Sequence, residues 1–123
     1  MPTVLVMEPD LEIGGLMHIL LSEAGCAPLV VPTVELAVDC LQREQVAVIV
    51  TELADRPLPD PLWEAPRRLR EVTSTTPILV FTHHSAARAV CAREHGVEAV
   101  LVKPSDLDHL VKWVTELADS TKP

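Results

Sequence analysis

Aromatic residues are scarce in this chain of 123 residues. It has no tyrosine, one phenylalanine and two tryptophans, yet 48% of its residues are hydrophobic. The core must therefore be aliphatic, built from Val, Leu, Ile and Ala. This hydrophobic content predicts a globular chain and not a disordered one. The length fits one domain over residues 1–123, which buries about two-thirds of its unfolded surface.

Other absences exclude whole classes of protein. No apolar stretch is long enough to span a bilayer, and no basic region followed by a signal-type apolar segment opens the chain. The cysteines, Cys26, Cys40 and Cys91, are odd in number and far apart, which favours reduced thiols over a disulfide framework. Together these features predict a cytoplasmic protein without a membrane segment.

Positive charge is also limited. The chain has 10 Lys and Arg against 18 Asp and Glu, a formal net charge of −8. Non-specific nucleic-acid binding depends on clusters of Lys and Arg that contact phosphates. We therefore expect no direct nucleic-acid contact, and any gene control would require another chain or domain to bind the DNA.

Apolar runs of strand length alternate with segments of helical period, which predicts βα units around a parallel sheet. The runs read as continuous apolar stretches, as is typical of strands covered by helices on both faces. They are Val4–Met7, Leu29–Val31, Val46–Thr51, Ile78–Thr82 and Ala99–Val102. One (βα)5 domain therefore accounts for the chain.

Helix-capping residues occupy the segments between these runs. Asp10, Thr33 and Ser85 predict the starts of the first, second and fourth helices, and Gly25 and Gly96 stand just beyond the ends of the first and fourth. The five predicted helices cover about residues 11–24, 34–43, 65–72, 86–95 and 106–118.

Polar side chains stand where the predicted strands end. In an open parallel sheet, ligands bind beyond the carboxyl ends of the strands. Glu8 and Asp10 follow the first strand, Glu52 the third, Thr82 the fourth and Lys103 the fifth. Carboxylates can hold Mg²⁺, while an amine and a hydroxyl can contact phosphoryl oxygens. Phosphoryl transfer to a carboxylate would require such a set of groups.

These segments, in this order, resemble the receiver domain of bacterial response regulators. The resemblance covers about residues 3–119. It rests on the acidic segment Glu8-Pro9-Asp10 after the first strand, on Thr82, and on Lys103-Pro104. It implies a flavodoxin-like, doubly wound parallel sheet with strand order 2-1-3-4-5. It also implies a cis peptide bond between Lys103 and Pro104.

The resemblance further implies a role for each site residue. Glu8 and Asp10 would hold Mg²⁺, Glu52 stands at the phosphoacceptor position, and Thr82 with Lys103 and Pro104 would form the phosphoryl contacts. Two departures weaken this chemistry. Glu52 replaces the aspartate of the family and is one methylene longer, and Pro9 replaces the second metal-binding acid. Phosphoryl transfer depends on positioning and on metal-assisted charge neutralisation, so Mg²⁺ binding is expected to be weak or lost.

The departures favour an atypical receiver that binds protein partners, or a second copy of itself, without regulated phosphorylation. Glu52 and Lys103 would then form a standing ion pair. The expected partner face is formed by the fourth predicted helix, the fifth strand and the last helix, with Trp113, Arg88 and His109 as candidate contacts. A histidine kinase is one possible partner.

Two alternatives stay open. In the first, a working receiver accepts a phosphoryl group on Glu52 or Asp55 with Mg²⁺. In the second, the domain is a flavodoxin-like binder of a small ligand, although its loops carry acids and prolines where a phosphate cradle requires free N–H groups. The sequence shows no recognisable Ser-His-Asp set, Cys-His pair or complete metal site, so no enzyme activity is expected.

Overall fold

In the computed structural model, which describes residues 1–57, 63–84 and 92–120, a five-stranded parallel sheet forms the centre of the chain. Its strand order is β2-β1-β3-β4-β5, which confirms the predicted order. The strands are β1 (Thr3–Met7), β2 (Ala27–Val31), β3 (Val48–Thr51), β4 (Ile78–Thr82) and β5 (Ala99–Val102). Each neighbouring pair is parallel.

Four α-helices connect and flank these strands within the described residues. They are α1 (Leu11–Glu23), α2 (Val34–Arg43), α3 (Glu64–Val72) and α4 (Leu107–Ser120). The predicted start of a further helix at Ser85 lies outside the described residues, and its described end, Ala92–His95, is a 3₁₀ turn. None of the described helices is both long and apolar enough to cross a membrane.

Local capping explains where the first two helices begin. The Asp10 carboxylate accepts hydrogen bonds from the backbone N–H groups of Glu12 and Ile13, at 2.9 and 3.1 Å. The Thr33 hydroxyl accepts one from the N–H of Leu36 at 3.2 Å. Side-chain oxygens thus satisfy N–H groups that have no partner within the helix. Both predicted caps are confirmed.

The sheet separates two apolar layers, so the fold is doubly wound. Because successive strand residues point to opposite faces, alternate positions of β1 enter different layers. Val4 and Val6 pack with residues of α1 and α4, whereas Leu5 and Met7 pack with residues of α2 and α3. The buried helical contributors are Met17, Leu21, Leu110, Val114 and Ala118 in the first layer, and Val34, Ala37, Ala65 and Leu69 in the second.

The two adjacent glycines of α1 occupy different environments. A Cβ atom added to the buried Gly14 would lie 3.1 Å from Cγ1 of Val30, so this glycine lets α1 pack closely on β2. A Cβ atom added to Gly15 would meet nothing within 4 Å. Packing therefore accounts for Gly14 and gives no reason for Gly15.

This difference predicts opposite responses to alanine. Gly15→Ala is expected to raise the free energy of unfolding by about 1 kcal/mol, because alanine costs less backbone entropy in a helix. Gly14→Ala is expected to be less stable than Gly15→Ala by about 1 kcal/mol or more, since its methyl group crowds Val30. Urea denaturation followed by circular dichroism measures both. Equal stabilisation by the two changes would contradict this account of the packing of α1.

Candidate functional site

The site residues occupy the carboxyl edge of the sheet, where Glu8, Glu52 and Lys103 each stand directly after a strand. Backbone hydrogen bonds to neighbouring strands fix two of them: the Glu8 N–H donates to the Val31 carbonyl at 2.9 Å, and the Glu52 N–H donates to the Met7 carbonyl at 3.1 Å. Because β1 and β3 are adjacent and Met7 pairs with Thr51, Glu8 and Glu52 leave the sheet side by side. The edge therefore brings two carboxylates together.

Lys103, which follows the edge strand β5, contacts both of these carboxylates. Its Nζ lies 2.7 Å from Oε1 of Glu8 and 2.8 Å from Oε2 of Glu52. The side chains of Lys103 and Glu8 are each 3% exposed, and that of Glu52 is 14% exposed. The predicted Lys103–Glu52 pair is present, and Glu8 is a third member of it that the sequence pattern did not reveal. We refer to Glu8, Glu52 and Lys103 as the acidic-edge triad.

The length of the lysine side chain makes this arrangement possible. Lys103 follows β5 and Glu52 follows β3, so β4 lies between them. Neighbouring strands are about 4.8 Å apart, and the flexible four-carbon stem of lysine crosses this gap. Its Nζ lies 5.8 Å from the centre of the Phe81 ring on β4, within the range of a cation–π interaction. The peptide bond between Lys103 and Pro104 is cis, as the resemblance implied.

Backbone N–H groups hold the remaining oxygens of the triad. Oε2 of Glu8 accepts a hydrogen bond from the N–H of Asp10 at 3.2 Å, and Oε1 of Glu52 accepts one from the N–H of Leu53 at 2.8 Å. All four carboxylate oxygens therefore face a donor from the chain itself. Such a fully satisfied group of buried charges is far more favourable than one with an unpaired member.

The donor set of this edge does not fit a magnesium ion. Asp10 directs its carboxylate to the start of α1, and Pro9 has no carboxylate. No group of three or more His, Cys, Asp or Glu in the described part of the chain could hold a metal ion. An ammonium already lies between Glu8 and Glu52. Two unit charges 4 Å apart repel by about 4 kcal/mol at an effective dielectric constant of about 20, and a divalent ion doubles this repulsion.

Thr82 ends β4 and is completely buried. Its hydroxyl accepts a hydrogen bond from the N–H of His84 at 3.2 Å, and its carbonyl accepts one from the N–H of Lys103 at 2.9 Å. These bonds shape the turn after β4 and position Lys103. Thr82 therefore has a structural role at this edge, whereas the predicted phosphoryl contact of its hydroxyl stays a prediction.

Asp55, the alternative phosphoacceptor, contacts a different element. Its Oδ2 accepts a hydrogen bond from the N–H of Val34 at 2.9 Å. Val34 is the first residue of α2, so Asp55 supplements the Thr33 cap. Asp55 stands 21 positions after Val34 in the sequence. Any phosphorylation of Asp55 would compete with this cap. No local spacing in the sequence signals the contact.

An open cleft of about 370 Å³ lies above the triad. The site residues Glu8, Asp10, Glu52, Asp55 and Lys103 line it together with Pro9, Leu53, Ala54, Arg56, Pro57, His83 and His84. Four of these lining residues are acids. The exposed His83 and His84 border the cleft and do not form a metal pair with the triad.

Two contacts away from the edge were missed at the sequence level. The rings of Trp63 and His95 stack with centroids 4.1 Å apart and planes 6° from parallel. Arg70 donates to the carbonyls of Thr73, Thr76 and Gly96 at 2.6–3.1 Å. These carbonyls lie in the segments after α3 and before β5, where no periodic pattern in the sequence could reveal them.

The partner-face candidates have mixed placements. Trp113 is half-buried and packs against the core layer that includes α4 residues, while His109 is exposed on α4. Arg88 lies outside the described residues. Trp113 therefore contributes to core packing, and its predicted part in partner binding stays a prediction.

Comparison with known proteins adds to this geometry. No protein-family model matches the sequence, and no curated protein matches it either. Solved structures do. The chain is 23% identical to the Francisella response regulator 1452 receiver domain, with a TM-score of 0.83 over 99% of this chain and 100% of that one.

Two further structures agree. The Vibrio cholerae chemotaxis response regulator CheY4 is 22% identical, with a TM-score of 0.78 over 95% of this chain and 98% of that one. A two-component response regulator from Clostridium difficile is 20% identical, with a TM-score of 0.81 over the full length of both chains. The chain therefore has the flavodoxin-like fold of response-regulator receiver domains, as the sequence resemblance implied.

The balance of charges in the triad predicts a measurable pH dependence. Burial raises the pKa of Glu8 above its ordinary value of 4.5, and the hydrogen bond and charge of Lys103 offset only part of this rise. Above pH 4.5 the folded state therefore binds the Glu8 proton more tightly than the unfolded state. The stability that this group contributes is fully present below pH 4.5 and falls as the pH rises through the folded pKa.

Glu8→Gln removes this titration. The free energy of unfolding of the wild type, minus that of Glu8→Gln, is expected to fall between pH 4.5 and neutral pH, by at most about 1.4 kcal/mol per pH unit. Chemical denaturation across this range measures the difference, and Glu12→Gln at an exposed position of α1 accounts for the general loss of one acid. A difference that rises with pH would mean that the attraction of Lys103 outweighs burial.

Proposed function

We propose that this chain is an atypical receiver module of two-component signalling that binds a protein partner without regulated phosphorylation. The receiver fold is the basis of the signalling assignment. The observation that supports a function without regulated phosphorylation is the acidic-edge triad, in which Lys103 bridges Glu8 and Glu52. The module acts through its surface and catalyses no turnover reaction.

The state of Glu52 argues against its use as a phosphoacceptor. An attacking carboxylate oxygen must be free to approach the phosphorus atom in line with the leaving group. Lys103 holds one oxygen of Glu52, and the N–H of Leu53 holds the other. With no metal-binding set beside it among the described residues, the reaction would also lack the usual neutralisation of charge.

The same ion pair suggests a fixed conformational bias. Phosphorylation of a receiver would place close to two negative charges at this edge, whereas Glu52 places one there permanently. Lys103 is bonded to that charge at 2.8 Å. The edge therefore carries the Glu52 charge without a cycle of phosphate addition and removal.

We place the partner on the side formed by β5 and α4. The exposed residues of α4 are polar and of mixed charge, with Asp108, His109, Lys112, Glu116 and Asp119 along its outer surface. A mixed polar surface of this kind fits a reversible protein contact better than an obligate, apolar one. The partner is a signalling protein, such as a histidine kinase, or a second copy of the chain.

A small-ligand function is less well supported. The cleft above the triad is lined by four acids and by Pro9 and Pro57. Anionic cofactors such as nucleotides and flavin phosphates require free backbone N–H groups or positive charge at this edge. The Lys103 ammonium is already paired with two carboxylates, and so is the Arg56 guanidinium that also lines the cleft, with Asp55 and Glu64.

Intact-mass measurement after incubation with acetyl phosphate and Mg²⁺ tests the proposal. The wild type is expected to show no phosphoryl adduct, because both oxygens of Glu52 are held and the metal ligands are incomplete. A receiver with a conventional aspartate site, treated in parallel, shows that the donor is active.

Glu52→Gln and Asp55→Asn are the matched variants. An adduct on the wild type that is absent from Glu52→Gln would identify Glu52 as a working acceptor and overturn the proposal. An adduct that is lost only in Asp55→Asn would assign the reaction to Asp55 and overturn it equally.

A further inference from the structure

We propose that a second cleft, between α3 and the 3₁₀ turn that ends at His95, is a docking site for a single carboxylate on an acidic segment of a protein partner. Its lining residues include Trp63 and Arg67 on the α3 side and Arg93 on the turn, and its volume is about 560 Å³. We call it the arginine cleft. It shares no lining residue with the cleft above the triad, so the inference goes beyond the proposed function and does not rest on it.

Two guanidinium groups of the arginine cleft have no partner in the described part of the chain. Arg67 and Arg93 are both exposed, and neither side chain forms a hydrogen bond or an ion pair with a described residue. The other described arginines each contact a carbonyl or a carboxylate; they are Arg43, Arg56, Arg68 and Arg70. The two arginines that remain available for a ligand therefore meet at one cleft.

The charges of the cleft match one carboxylate. Its described lining residues contribute three guanidinium groups, of Arg67, Arg70 and Arg93, and two carboxylates, of Glu71 and Glu94. With His95 neutral, this leaves an excess of one positive charge, in a chain whose formal net charge is −8. A phosphoryl group would bring nearly two negative charges, whereas the side chain of an aspartate or glutamate brings one. A protein carboxylate therefore fits the cleft better than a phosphate does.

An aromatic pair lines the cleft beside these charges. The rings of Trp63 and His95 stack with centroids 4.1 Å apart, and both residues are half-buried. Tryptophan and arginine are enriched among the residues that contribute most to protein–protein binding. The guanidinium group also recognises carboxylates through a planar pair of N–H donors. The combination fits a segment in which an acidic residue stands beside an apolar one.

The backbone at Trp63 departs from what helix stability alone would favour. Trp63 is the N-cap of α3, with φ 59° and ψ 30°, and its side chain forms no capping hydrogen bond. Within the described ranges, it is the only residue other than glycine with a positive φ. A small polar residue would cap the helix, and glycine would adopt this conformation without strain. Strained residues recur at ligand-binding sites, and here the strained residue carries the indole that lines the cleft.

Arg70 holds the two sides of the cleft together. Its guanidinium donates to the carbonyls of Thr73, Thr76 and Gly96 at 2.6–3.1 Å, and so joins α3 to the segment before β5. Gly96 has a φ of 73°, and a Cβ atom added to it would lie 3.3 Å from Nε of Arg70. The cleft is therefore formed before a ligand arrives, which lowers the entropic cost of binding.

Titration with a short acidic peptide tests the inference. The probe is the peptide Gly-Phe-Glu-Gly, capped at both ends, and its neutral counterpart has glutamine in place of glutamate. In nitrogen–proton NMR spectra, the acidic peptide at millimolar concentration is expected to shift the indole N–H signal of Trp63 and the Nε–H signals of Arg67 and Arg93. The indole signal of Trp113, which packs against the other apolar layer, should not shift. The neutral peptide should shift none of these signals.

Arg67→Gln and Arg93→Gln are the matched variants, and Arg43→Gln at the exposed end of α2 controls for the general loss of one positive charge. Each cleft variant is expected to weaken the affinity for the acidic peptide about threefold, the size of one exposed ion pair. Arg43→Gln should bind the peptide as the wild type does. All three side chains are exposed, so the variants are expected to fold, and a dispersed spectrum verifies this.

Four results would overturn the inference. They are no response of the wild type to the acidic peptide, equal shifts with the neutral peptide, an equal loss of affinity in Arg43→Gln, and tighter binding of inorganic phosphate than of the peptide. The last result would assign the cleft to phosphoryl groups. None of them bears on the test of the proposed function, because the acetyl phosphate reaction reports on Glu52 and Asp55 and not on this cleft.

Discussion

A lysine ammonium enclosed by two carboxylates is the interaction on which the carboxyl edge of this molecule depends. Glu8, Glu52 and Lys103 come from three different strand ends, and each satisfies the charge of another. Loss of one partner from a buried ion pair costs about 3–5 kcal/mol, because the remaining charge stays buried without compensation. Removal of any one of the three charges is therefore expected to destabilise the edge, and the triad ties the loops that carry these residues to one arrangement.

The parallel sheet makes this interaction possible. All five strands run in one direction, so their last residues meet at one edge. Adjacent strands β1 and β3 place Glu8 beside Glu52, and only a long side chain can reach them from β5 across β4. The same edge exposes the starts of α1 and α2, where Asp10 and Asp55 act as caps. Most of the acids at this edge therefore have structural partners within the chain.

The apolar runs of the sequence predicted the strands, whereas the resemblance to receiver domains implied their order and the position of Lys103 beside Glu52. It did not predict that Glu8 completes the triad or that Asp55 caps α2. Both contacts join residues far apart in the chain, and their formation depends on the angle at which a side chain leaves a loop. The hydrogen bonds of Arg70 were missed for the same reason, since its carbonyl partners lie in segments without periodicity.

The triad also limits what the site motif implies about chemistry. In the sequence alone, a lysine after β5 and a threonine at the end of β4 suggest contacts with phosphoryl oxygens. In the folded chain, Lys103 forms ion pairs with the buried Glu8 and the half-buried Glu52, and Thr82 shapes the turn that positions Lys103. Either role would be required even if no phosphate ever entered the cleft. The presence of these residues therefore supports the receiver fold, whereas phosphoryl transfer also requires a free acceptor oxygen and a set of metal ligands. In the described part of the chain, both oxygens of Glu52 are hydrogen-bonded and no group of three metal-ligating side chains is found.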